Sequence, residues 1–255
     1  MIASHFFREN RMLIYGYFLL MHVTGALSVF FWPELREQID LIVQLIPLDG
    51  VRRFAEAFQT QGYWAYFDAQ ILFKGGGMVA TAVAGLLGSG LIAREADRNT
   101  AEFLLSRPIS RAQILFRRWL AGCAMLLIPF FSCVIFCWAL SPQVGESLQL
   151  GRLLASTAHV SLFILAVFQA TIWLSAHSTQ QLRAGIIVLG FIMLNMAIYL
   201  VKHIWHYSIF NIIDLDVLLP LADRGAYPWK ETTTLAAASL VFYFFSWRAF
   251  SRRDF

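Results

Sequence analysis

His203 and His206 stand three residues apart, with Asp214 and Asp216 close behind. Two imidazoles at that spacing share a face of a helical turn, and carboxylates beside them resemble the makings of a metal site. No third ligand is specified, and interfacial histidines are the simpler account. His159 with Ser156 or Ser161 brings a base near a nucleophile, which is the least that an intramembrane protease or acyl transferase would need. No nucleophile motif surrounds them. Cys123, Cys133 and Cys137 are odd in number and fall in one apolar run without histidine or carboxylate, so they read as buried small hydrophobes. Lys74 precedes Gly75, Gly76 and Gly77, but a phosphate-cradling loop needs its lysine after the glycines, in the order G-x-x-x-x-G-K-[ST]. The chain therefore has no nucleotide site of that kind.

Lys74 is the one basic residue inside an apolar run, and ionisable groups at depth mark pathways or gates by default. With Gly76 and Asn195 it forms the candidate pathway set. Snorkelling of the long lysine stem to the interface competes with that role. His159, Gln169 and Asn195 lie within spans, where hydrogen bonding to a neighbouring helix is the ordinary expectation.

The densest polar chemistry is "READRNTAEFLLSRPISR", residues 94–111, which carries Arg94, Glu95, Asp97, Arg98, Glu102, Arg107 and Arg111 between two nearly uncharged stretches. Thr100 can cap a short helix over 101–106, with Glu102 in its first turn and Phe103, Leu104 and Leu105 exposed. Pro108 ends that piece. Ser110 and Gln113 have capping-box spacing, and Ile109 and Ile114 that of a hydrophobic staple, so a second helix begins there and runs on through Arg117 and Arg118. The result is a helix–kink–helix elbow with a basic side and an apolar knob. It suits either contact with lipid phosphates or insertion into the groove of a partner protein.

The elements that position these groups are membrane helices. Residues of hydrophobic type make up 58% of the chain and charged residues only 14%, where a soluble domain has roughly 45–50% and 25%. This excludes an ordinary water-soluble core, and the net charge of +4, scattered over such a chain, does not suggest nucleic-acid binding. Six apolar runs approach the ~20 residues a bilayer core requires. They cover 12–32, 67–93, 119–140, 153–176, 184–201 and 232–247, with the first run ended by Pro33. That first run exceeds the h-region of a cleavable signal and is expected to remain as a span. Placing the N-terminus inside gives twelve basic residues on the inner segments against seven on the outer, which predicts both termini in the cytoplasm. The outer segment 33–66 carries an amphipathic stripe of Leu35, Ile39, Ile42, Val43 and Ile46, an interfacial helix pattern. The outer segment 202–231 mixes aromatics with Asp214, Asp216 and Pro220, and part of it is expected to dip back among the helices. Gly75, Gly76, Gly77, Ala80, Ala84, Gly85 and Gly88 mark the second span as one packed closely in the bundle, with a bend at the glycine run.

The passage "AREADRNTAEFLLSRPISRAQILFRRWLAG" resembles the inner-loop signature of ABC-2-type transporter permeases, through Glu95, Thr100, Leu104, Leu105, Ser106, Pro108 and Arg111. Asn99 stands where the family prefers glycine, and Arg117 or Arg118 where it has lysine. The six-span layout, an N-terminal amphipathic helix over residues 4–11 and the basic ending "WRAFSRRDF" resemble the family as well. The resemblance implies an all-α membrane protein made of one six-span permease domain over residues 1–255, with a cytoplasmic coupling elbow and outer interfacial helices. It implies a bacterial inner or plasma membrane location and a permease that is not itself an enzyme. ATP and Mg would be bound by a separate cytoplasmic ATP-binding subunit docked at Glu95, Arg98, Thr100, Glu102, Phe103, Leu104, Leu105, Pro108 and Arg111. A second permease subunit, membrane lipids and accessory subunits complete the implied partners, and ATP-driven export the implied function. A permease-like protein for self-protection or regulation is the alternative, and an intramembrane enzyme a remote one.

Overall fold

The computed structural model of the chain describes residues 2–45, 49–97, 110–201 and 203–252. Helix α1 (Ile2–Leu45) is followed by α2 (Asp49–Gln61), α3 (Tyr63–Ser89), the short α4 (Ala93–Asp97), α5 (Arg111–Leu140), α6 (Leu150–His177), α7 (Gln181–Tyr199), α8 (Leu215–Arg224) and α9 (Trp229–Arg252). Among the described residues there is no β-strand. Five helices (α1, α3, α5, α6 and α7) are long and apolar enough to cross a membrane. The expected sixth, α9, is a helix of 24 residues that lies along α6. Its run of three threonines and the serines that follow make it less apolar than the others.

Pro33 does not end the first helix. The chain stays helical through it to Leu45, so the N-terminal amphipathic stretch, the first span and the outer stripe are one rod of 44 residues. A proline inside a helix removes one backbone donor, a loss that packed membrane helices tolerate when neighbours supply hydrogen bonds. The carbonyl that loses its donor is that of Val29; close by, Tyr66 donates to the carbonyl of Ser28 and Trp32 Nε1 donates to Glu146 Oε1 at 2.9 Å, bonds that hold this turn of α1 in the bundle without replacing the lost one.

Helix α3 is the centre of the bundle. Its apolar window is 72% buried, against 28% for α1 and for α7. The three consecutive glycines explain how it gets there. A β-carbon on Gly75 would stand 2.9 Å from Met21 of α1, one on Gly76 would stand 2.6 Å from Val160 of α6 and 2.7 Å from Phe130 of α5, and one on Gly77 would stand 2.6 Å from Ile213. Each glycine admits a different neighbour. The expected bend is a change of winding instead: residues Asp68–Ala80 form a π-helix, wider than the flanking α-helical turns.

The bundle has two ends. At the terminal end lie the start of α1, α4, the starts of α5 and α7, and the end of α9. At the other, the hairpin end, α2 folds back beside α1, and the segment between α7 and α8 turns inward, so that Phe210 and Ile213 are fully buried against Gly77 and Phe73. The dip expected for that segment is thus formed by two 3-10 turns, Trp205–Tyr207 and Ile209–Ile213.

Candidate functional site

The segment expected to form the elbow starts from the end of α3, its first root. The backbone at residues 89–93 must turn out of the helix inside a low-dielectric bundle, where bare amides and carbonyls are costly. Ser175 of α6 satisfies several at once: its Oγ donates to the Ser89 carbonyl at 2.8 Å and accepts from Ala93 N at 2.9 Å and Ile92 N at 3.3 Å. Arg118 Nη1 donates to the Leu91 carbonyl at 2.8 Å. The buried Arg94 then ties the turn to two other helices. Its Nε donates to Gln181 Oε1 at 2.8 Å, its Nη2 donates to Asn10 Oδ1 at 3.1 Å, and its Nη1 lies 3.6 Å from Glu9 Oε2. Gly90 makes room for this: a β-carbon there would stand 2.6 Å from Arg94 Nη2 and 2.9 Å from Gln181 Nε2.

Where the described chain resumes, Ser110 and Arg111 at the start of α5 are the second root of that expected segment. Ser110 caps α5 by accepting from Gln113 N at 3.2 Å, the contact its spacing predicts. Arg111 Nη1 donates to the carbonyls of Phe250 and Ser251, each at 3.3 Å. A guanidinium on the last carbonyls of α9 meets the negative end of that helix.

Of the predicted docking residues, Arg98, Thr100, Glu102, Phe103, Leu104, Leu105 and Pro108 lie outside the described residues, as does the Glu95 side chain; Arg111 is placed at the root. Sequence reasoning missed Arg94, Asn10 and Gln181 as a set. Their signal was three long polar side chains at span ends in a chain otherwise poor in them, but their meeting depends on bundle order, which spacing does not supply.

The family model for the ABC-2 family transporter protein matches residues 7–255. The chain belongs to that family. It is an ABC-2-type permease and an integral membrane component of an ABC transporter, a family that works with an ATP-binding subunit. No curated protein gives a significant match.

The permease's three pathway candidates are not brought together. Gly76 is closed into the core by Phe130 and Val160. Asn195 anchors the inward segment, its Oδ1 accepting from Ile209 N at 3.2 Å and its carbonyl from Ser208 Oγ at 2.8 Å. Lys74 is exposed and borders a cavity of about 260 Å³ between α1, α2, α3 and α7, at the hairpin end.

Of the remaining chemical candidates, Ser156 has a buried Oγ without a hydrogen-bond partner among the described residues, and the others are occupied structurally. His159 donates from Nε2 to the Ile212 carbonyl at 2.9 Å, which leaves Nδ1 to accept from Thr232 Oγ1 at 2.8 Å. Both ring nitrogens are used, and Ser161 bonds the Thr157 carbonyl instead. Asp214 is turned away from the histidines: it accepts from Arg53 Nη2 at 2.6 Å, from Leu215 N at 2.8 Å and from the Tyr199 hydroxyl. Arg53 also lies 4.0 Å over the Trp205 ring. Three elements, α2, the end of α7 and the start of α8, are latched by this one carboxylate.

Proposed function

We propose that this permease is the membrane half of an ATP-driven exporter, worked through the 94–111 elbow by a separate ATP-binding subunit that holds ATP and Mg. Two permease subunits face each other across the pathway. The observation that supports the reading is that the two chain segments flanking residues 98–109 are tied to other helices at the same end of the bundle, Arg94 to α1 and α7 and Arg111 to the end of α9. A lever transmits force only if its roots cannot slip. A push on the elbow reaches α1 through Asn10 and Glu9, and α9 through the Phe250 and Ser251 carbonyls.

In this reading α9 is the sixth span. Its 24 residues reach about 36 Å at 1.5 Å each, more than the ~30 Å of a hydrocarbon core. Six crossings return the chain to the side it started from, and the excess of arginine there makes that side cytoplasmic.

The test is co-purification of the permease with its ATP-binding subunit, followed by Leu104→Asp. A carboxylate on the apolar knob is expected to release the ATPase or uncouple its hydrolysis from transport, with the spans still inserted. Undiminished docking and coupling in that variant would falsify the placement of the contact.

A further inference from the structure

The cavity bordered by Lys74 has a wall of one chemistry and a single charge. Leu35, Ile39, Phe54, Phe73, Met78 and Met196 supply apolar surface from four helices, and among the described residues Gln70 and Lys74 are its only polar lining side chains. Among the described residues no carboxylate lines it. The Lys74 ammonium makes one hydrogen bond, to Gln70 Oε1 at 3.4 Å, and has no ion-pair partner among the described residues. Arg36, Arg53 and Arg94 each have a carboxylate within 3.6 Å. A cation beside an apolar cleft in a membrane protein, with no counter-ion among the described residues, is complementary to an anion that carries its own apolar body.

The wall is also held in place. Phe54 follows Arg53, whose bond to Asp214 pins α2 across the hairpin end, and Phe54 and Phe73 both pack on Tyr199, at 6.1 and 5.0 Å between ring centroids. A pinned aromatic wall keeps the cleft from collapsing when empty. Its volume of about 260 Å³ lies just under the ~300–1,000 Å³ of pockets for drug-sized ligands, a size that suits one flexible chain.

We infer that this cavity binds a single-chain anionic amphiphile, its acyl chain between α1, α2 and α7 and its anionic head on Lys74. A fatty carboxylate and a lysophospholipid phosphate share that chemistry. The inference does not rest on the transport reading, because binding is measured with no nucleotide and no transport.

The experiment is equilibrium binding to the full chain in phosphatidylcholine nanodiscs, with radiolabelled oleate, lysophosphatidylglycerol and the neutral monoolein as probes. At least one anionic probe is expected to bind at one per chain and at least tenfold more tightly than monoolein; whichever binds better names the head group as carboxylate or phosphate. Lys74→Gln is expected to bring the anionic probe down to the monoolein level, and Lys74→Arg to restore it. Ile42→Trp, at a half-buried lining position, is expected to fill the cleft and weaken all three probes while Lys74 is kept. Equal binding of monoolein, undiminished binding in Lys74→Gln, or competition by inorganic phosphate as effective as that by the amphiphile would each overturn the inference. The first two would leave Lys74 as a snorkelling residue, and the third would make the site one for small anions.

Discussion

Arg94 Nη2 donates to Asn10 Oδ1 at 3.1 Å, across 84 residues of sequence, and Asn10 Nδ2 in turn donates to the Phe6 carbonyl at 2.8 Å. The guanidinium, the amide and the first turns of α1 form one connected polar unit inside an otherwise apolar end. Because Arg94 is nearly buried, its charge is tolerable only while Glu9, Asn10 and Gln181 face it.

Arg94→Ala is therefore expected to cost about 2–4 kcal/mol, since three polar groups lose a charged partner at once. Arg94→Lys keeps the charge but cannot serve Gln181 and Asn10 along two directions of a planar fork, so a partial loss is expected. The measurements are thermal unfolding in detergent and ATPase-coupled transport in the assembled complex. If Arg94→Ala unfolds at the wild-type temperature, the polar unit is not stabilising the end.

Glycine substitutions separate packing from helix propensity. Gly76→Ala puts a methyl 2.6 Å from Val160 and 2.7 Å from Phe130, an overpacking that costs roughly 1–3 kcal/mol. Gly190→Ala, in α7, meets nothing within 4 Å and is expected to be neutral or to stabilise by about 0.5–1 kcal/mol through lower backbone freedom. Opposite shifts of the unfolding temperature support the close approach at α3; parallel shifts contradict it.

The Arg53–Asp214 contact invites a double-mutant cycle. Asp214 is 1% exposed and Arg53 about a third exposed, so solvent reduces what the pair contributes. A coupling energy of about 1–2 kcal/mol between Arg53→Ala and Asp214→Ala is expected, larger than that of a fully exposed pair. Tyr199→Phe should weaken the same latch by removing a second donor to the carboxylate. A coupling near zero would mean that α2 is held by its other contacts, the packing of Phe54 and Phe58 and the Gln59–Asp40 hydrogen bond among them.

The sequence made α-helical membrane architecture legible because apolar composition and ~20-residue runs reflect the thickness of the bilayer itself. It located the Ser110 cap because capping is local, acting over three residues. It misjudged Pro33, because the contacts that hold that turn of α1 in the bundle, with Tyr66 and Glu146, come from far along the chain. It could not foresee the π-helix at Asp68–Ala80, since the winding answers to neighbours on three sides of Gly75, Gly76 and Gly77. The elbow's roots were hidden for a similar reason: Arg94 and Arg111 look alike in sequence as loop arginines, and only the order of the bundle gives one to α1 and the other to α9.

Asp68 supplies the last prediction. It is fully buried at the start of the π-helix; the Trp64 indole N–H, one turn earlier, is directed at it but does not reach full hydrogen-bond geometry, so among the described residues neither group is properly satisfied. A buried polar group without a partner costs about 1–3 kcal/mol, so replacing it by an apolar group of similar size should recover much of that. Asp68→Leu is accordingly expected to raise the unfolding temperature of the solubilised permease, by roughly 2–4 °C for each kcal/mol in a chain of this size. Asp68→Asn keeps a polar group in the same place and should gain much less. The two variants together distinguish removal of an orphan from a general effect of substitution at this position. If Asp68→Leu lowers the unfolding temperature while Asp68→Asn does not, the carboxyl is held by a hydrogen bond in the intact membrane protein, and the orphan reading is wrong.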